Sequence, residues 1–175
     1  MENQSLNALY FLSPSWLIIL SIIAYFVLKK PFDKLFGNVN VHTDVPRGFF
    51  IFFQLLLVGL LLDSVSRTLG INDTAPVEVF AQTLSSQQWS GALQIIISAL
   101  GEELFFRGII FNVLGSIPSI LIFGAAHAGY GSLVQLLGAF AAGFILIRAR
   151  EQYGSIFPGL LGHALYNLAA VFVLL

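Results

Sequence analysis

The chemistry available to this 175-residue chain is concentrated in Glu102, Glu103, Arg107, His127, His163 and Asn167, polar groups set into an otherwise apolar second half. Carboxylates and guanidinium groups in such surroundings persist mainly where they pair, line a wet cavity or react. Glu103 and Arg107 stand i,i+4, on one helical face and in the favourable acid-first order. Glu102 points about 100° away. The pairing therefore leaves Glu102 as the carboxyl available to something else. His163 and Asn167 are also i,i+4 and point into one space, while Phe123 precedes His127 by one turn.

A carboxylate, two imidazoles and a carboxamide form a kit for activating water. Glu102, helped by His127, would take a proton as water attacks a carbonyl. His163 and the Asn167 amide would donate hydrogen bonds to the oxyanion. Protonated Glu102 would then pass its proton to the leaving amine. The same set offers Glu102, His127 and His163 as ligands for a divalent metal such as zinc, although HExxH spacing is absent. Plainer readings exist for each part: a salt-bridged knot for Glu103 and Arg107, packing for Phe123, a satisfied core histidine for His127, interhelical glue for His163 and Asn167. A non-catalytic immunity or scaffold protein fits those plainer roles. A transporter relaying ions or protons through Glu102 and Arg107 fits less well, because inverted repeats are absent.

The elements that must carry these groups follow from composition. The chain is 57% hydrophobic and only 10% charged, against about 25% charged in average proteins, so lipid is the expected solvent. A net charge of −1 argues against nucleic acid as a partner. Absence of cysteine excludes disulfides, thiolate metal sites and a Cys nucleophile. Glu2 and the lack of early Lys or Arg leave no basic n-region of a signal peptide, so the first apolar run reads as a retained span.

The expected fold class is all-α, a polytopic transmembrane bundle of about six helices forming one integral-membrane domain over residues 1–175. Residues 1–88 would supply N-terminal helices and an external segment, and residues 89–175 the catalytic core. The expected helices are residues 9–28, 48–69, 89–114, 118–128, 132–147 and 156–175. Gly115-Ser116-Ile117-Pro118 reads as the break between the third and fourth, with Ser116 as N-cap and Pro118 in the first turn. Fusing residues 109–128 would give five spans instead. Basic residues place the 29–47 connection and the 148–151 turn in the cytoplasm, and both termini outside. Asp73 to Gln88 is then the longest external stretch, with a short interfacial helix at residues 76–84. On about 1.5 Å of rise per residue, Glu102, His127, His163 and Asn167 all fall about half-way into the bilayer. Independent glue has no reason to share a depth.

Other charges receive structural readings. Asp63 with Arg67 is an interfacial ion pair. Arg148, Arg150, Lys29, Lys30 and Lys34 are topology anchors that snorkel to headgroups. His42 belongs to a loop, and Phe49, Phe50, Phe52 and Phe53 face lipid or pack.

Glu102-Glu103-x-x-x-Arg107, Phe123-x-x-x-His127 and His163-x-x-x-Asn167 together resemble the EExxxR, FxxxH and HxxxN/B motifs of the CPBP family. These are the CAAX-protease and bacteriocin-processing (Abi) intramembrane proteases, which include type II CAAX prenyl endopeptidases. The resemblance covers residues 102–167 in the family's order. It implies a helical membrane endopeptidase acting on a peptide or protein substrate, with Glu102 and His127 activating water and His163 and Asn167 as oxyanion hole. Glu103, Arg107 and Phe123 would support them. The family has been described both as metalloproteases and as metal-independent glutamate enzymes, so a divalent metal stays open.

Overall fold

The computed structural model describes residues 15–29 and 35–174, and the architecture among them is all-helical. The expected first span begins before the described residues, and Lys30, Lys34 and Leu175 also lie outside them. Helix α1 is Ser15–Leu28 and α2 is Val41–Thr68. A short α3, Ala75–Ser86, leads to α4, Trp89–Glu102. The chain then widens without interruption into a π-helical stretch, Glu103–Ile110, and tightens again into α5, Phe111–Leu114. Helix α6, Ser116–Ala126, ends in a single 3-10 turn, His127–Tyr130. Helices α7, Leu133–Tyr153, and α8, Phe157–Ala169, follow, with a final π-helical turn, Ala170–Leu174.

Several boundaries differ from expectation, each for a local reason. Helix α2 starts at Val41 rather than at residue 48. Asn40 caps it by accepting the His42 N–H at 3.2 Å, and the Asp44 carboxylate accepts the Asn40 N–H at 3.0 Å. This reciprocal cap pulls the polar segment before the apolar run into the helix. His42 is thus on an exposed first turn, not in a loop. Helix α7 continues through Arg148, Arg150 and Glu151 to Tyr153, because good helix formers carry on where hydropathy falls. Ser132 caps its start, accepting the Gln135 N–H at 3.0 Å. Ser116 is not an N-cap. Gly115 holds that position with φ 88°, and the Ser116 hydroxyl donates to the Glu151 carboxylate.

Arg150 corrects the snorkelling assignment. Its side chain is buried, and Nη1 donates to the Gly154 carbonyl at 2.6 Å. That bond ties down the left-handed turn ending α7, beside the antiparallel bridge between Gly37 and Ser155.

Small residues set the close contacts. Helices α2 and α8 approach so nearly at Gly162 that a Cβ there would lie 2.7 Å from the Ile51 side chain and 2.8 Å from the Gly48 carbonyl. Around this contact Ile51, Leu55, Leu146 and Ala149 form one buried cluster. Phe106, Phe123 and Ala139 form another, next to the polar residues.

The exterior is apolar. Helices α2 and α7 are long and apolar enough to cross a membrane, and only 17% and 33% of their apolar windows are buried inside the protein. A core helix of a water-soluble protein would be mostly covered. Phe50 and Phe53 lie on the uncovered side of α2.

Candidate active site

The π-helical stretch is the local feature that shapes the site. The Phe111 N–H reaches back five residues to the Phe106 carbonyl, and the buried Ser119 hydroxyl donates to the same oxygen at 2.7 Å. The wider turn thereby exposes a carbonyl that α6 uses as an anchor. Such turns are rare and frequently lie at functional sites.

Glu103 and Arg107 sit inside it, paired at 3.1 Å with side chains about 1% exposed. The expected partnership is present, and it is larger than a pair. The Arg107 guanidinium lies 4.1 Å over the Phe123 ring. Its N–H groups make no aligned hydrogen bond among the described residues, so charge proximity and the aromatic face hold it. Phe123, 1% exposed, is therefore both packing and a cation-binding surface.

Glu103 also accepts from His163, whose Nδ1 lies 3.0 Å from Oε1. The opposite nitrogen, Nε2, faces Glu102 Oε2 at 3.7 Å. One imidazole thus stands between the two adjacent acids. The carboxylate can only accept, so the proton on Nδ1 is fixed. Gly159 leaves the space Glu103 needs, since a Cβ there would lie 3.1 Å from Oε2. His127 is oriented by similar logic. Its Nδ1 lies 2.8 Å from the Phe123 carbonyl, which also only accepts. A neutral His127 therefore keeps Nε2 unprotonated.

Glu102, His127, His163 and Asn167, from α4, the 3-10 turn and α8, line one cavity of about 190 Å³ with Phe123. Glu103 and Arg107 lie behind it, fully buried. Sequence reasoning missed other polar lining groups: Gln94, Ser98, Gln135, Tyr130 and Tyr166. Gln94 and Ser98 had a readable signal, because 94, 98 and 102 recur every four residues along one face. Tyr166 had none, being one more aromatic residue on an apolar helix. Helix α3 was expected to lie at the interface, yet Val77, Phe80, Ala81 and Leu84 form part of the cavity wall.

Among the described residues, no three His, Asp or Glu side chains converge closely enough to hold a metal ion. Glu102, His127 and His163 do not form a ready ligand set.

Residues 84–169 match the family model described as "Type II CAAX prenyl endopeptidase Rce1-like". Among curated proteins, the "Uncharacterized 24.3 kDa protein" of Escherichia coli is 36% identical over 78 residues, covering 39% of this chain and 36% of that protein. The matched part thus spans only about a third of the relative's length. No solved structure matches the chain significantly.

Proposed function

We propose that this protein is an intramembrane endopeptidase, a reading supported by the match of residues 84–169 to the Rce1-like type II CAAX prenyl endopeptidase family model. One observation carries the reading: an acid, two oriented imidazoles and an amide line a single cavity inside an apolar bundle. Water in that cavity is the nucleophile. Glu102, assisted by His127 Nε2, takes a proton from it as its oxygen attacks the scissile carbonyl. The carbonyl π electrons move onto oxygen, which Asn167 Nδ2 and His163 Nε2 stabilise by donation. Collapse of the tetrahedral intermediate breaks the C–N bond, and Glu102 returns its proton to the leaving amine.

The contacts of His163 define its charge in this scheme. Glu103 accepts the proton on Nδ1, so donation from Nε2 requires the imidazolium form. Two carboxylates, Glu102 and Glu103, then balance two cations, His163 and Arg107. A neutral cluster is far cheaper in a low-dielectric interior than any member alone. Glu103 acts through His163 and is a positioning residue, as is Phe123 through His127.

The chain would cross the bilayer about six times, with α2 and α7 as complete crossings and α1, α4 with its π extension, α6 and α8 as the remainder. Trp89, 88% exposed at the start of α4, suits an interfacial position. The substrate is a peptide or a membrane-associated protein segment that enters the bundle from lipid or its surface; no prenyl group is assigned. The mechanism needs no cofactor.

The test compares newly formed protein termini in cells carrying the parent chain and Glu102→Gln, followed by cleavage of the identified peptide by purified protein in phospholipid. Cleavage that depends on Glu102 supports the enzyme. A biological phenotype retained by Glu102→Gln but lost on disrupting the bundle supports the scaffold instead. Ion flux without proteolysis supports the transporter.

A further inference from the structure

Helix α3 and its flanking turns close one side of the cavity, and their construction is unlike that of the other walls. Val77, Phe80, Ala81 and Leu84 recur on one face and line the cavity, whereas Val79 on the opposite face is 63% exposed. The helix is therefore a thin cover, with the site beneath and open surroundings above. Its two ends carry unusual backbone. Gly70 precedes it with φ 69° and no neighbouring group near a would-be Cβ. Gln88 follows with φ 51° and ψ −117°, a region that disfavours a side chain.

A polar fastening joins this cover to a distant helix. Asp73 Oδ1 accepts the Ser132 hydroxyl at 3.1 Å, and Oδ2 accepts the Leu133 N–H. The carboxylate thus occupies the N-terminus of α7, satisfying an orphan donor and meeting the positive end of the helix. At the far end the Leu84 carbonyl presses on Gly91, where a Cβ would overlap it. Between the ends the Phe80 ring lies 6.0 Å from Tyr130, whose ring lies 5.9 Å from His127. Movement of α3 would therefore open the wall beside Tyr130, the ring that neighbours His127.

We propose that α3 is a latched lid, held shut by Asp73 on α7, and that substrate reaches Glu102 by displacing it. Gly70 and Gln88 are the hinges. The lid narrows the way into the cavity until the latch parts. This inference rests on the peptidase reading of the cavity, but its test does not need turnover.

The chain contains no cysteine, so Ser98→Cys places a single thiol in the cavity wall. Its alkylation by a charged, water-soluble maleimide is measured in phospholipid vesicles, with Thr68→Cys, at the exposed polar end of α2 on the same side as α3, as the reference for local reagent access. Slow labelling is expected in the otherwise unchanged chain. Adding Asp73→Ala should speed it about tenfold, the scale of losing a charge-assisted hydrogen bond. Phe80→Ala should also accelerate it without touching the latch. Labelling at 68 should stay constant throughout, which separates lid opening from unfolding. Equal labelling at 98 and 68 in the unchanged latch background would overturn the cover. A rate at 98 unaffected by Asp73→Ala would overturn the latch. Failure to cleave any peptide would sink the peptidase reading while leaving the labelling result intact.

Discussion

Two acid–arginine pairs in this chain share the same i,i+4 spacing and opposite surroundings. Arg67 and Asp63 meet at 2.9 Å on α2 with side chains 77% and 50% exposed. Arg107 and Glu103 meet at 3.1 Å with about 1% of each exposed. Spacing produces the contact in both places, but surroundings decide its worth. A pair in water gains little and is screened by salt. A buried pair has lost its hydration, so each partner depends on the other. Glu103 has a further contact that Asp63 lacks, with His163 at the cavity wall. The difference teaches that the buried pair is a foundation for the site, whereas the exposed pair decorates a helix.

The sharpest break comes at the neighbouring acid. Glu102→Gln should lower hydrolysis by roughly 10³-fold while leaving thermal unfolding nearly unchanged, because it removes the proton acceptor and little packing, and His163 can release its Nε2 proton to keep the cluster neutral. Rates are compared on a peptide that the parent chain cleaves. A similar rate in the variant would detach Glu102 from the chemistry.

Next in size is the buried pair. Arg107→Met should cost about 3–5 kcal/mol in reversible unfolding from mixed detergent, because Glu103 is left charged and buried with only His163 as a cationic partner. The double variant Glu103→Leu/Arg107→Met should recover most of that stability. Its activity should remain low, by roughly 10²-fold, because His163 has lost the acceptor that orients it. Recovery of both properties together would reduce Glu103 to a structural partner. The imidazole signals of His163 in nitrogen NMR give a second readout, moving with Glu103→Gln if Glu103 fixes the Nδ1 proton.

Smallest is the exposed pair. Asp63→Asn should change stability by less than about 1 kcal/mol and leave hydrolysis untouched. Raising salt should erase even that difference, while the Arg107→Met defect persists. A large effect at Asp63 would overturn the contrast between the two pairs.

Much of the bundle was legible because apolar runs mark helices directly. The 89–114 helix and the break at Gly115 were visible in residue pattern alone, and so was the Glu103–Arg107 contact. What pattern does not carry is how far capped polar turns extend a helix. The Asn40–Asp44 cap and the continuation over residues 148–153 added residues that hydropathy had assigned to connections. The candidate site was legible as a set of groups on repeating faces, but not as a network. Helical rotation alone directed Glu102 away from Glu103, yet one imidazole reaches both acids, one through each nitrogen. A third element, α8, supplies that connection, and no spacing within α4 encodes it. Burial of Arg150 was equally hidden, because its acceptor exists only after the left-handed turn at Gly154 has formed.

The widened stretch at Glu103–Ile110 makes the geometry of the buried pair sensitive to the loss of one residue. A π-helical turn accommodates an extra residue between two ordinary helical segments that keep their seats. Deleting one residue between 103 and 107 would let the backbone tighten locally and leave both flanks docked. Acid and guanidinium would then stand three apart, and Ser119 would lose the carbonyl it holds. A single lost codon would thus dismantle the Glu103–Arg107–Ser119 arrangement while sparing the architecture around it.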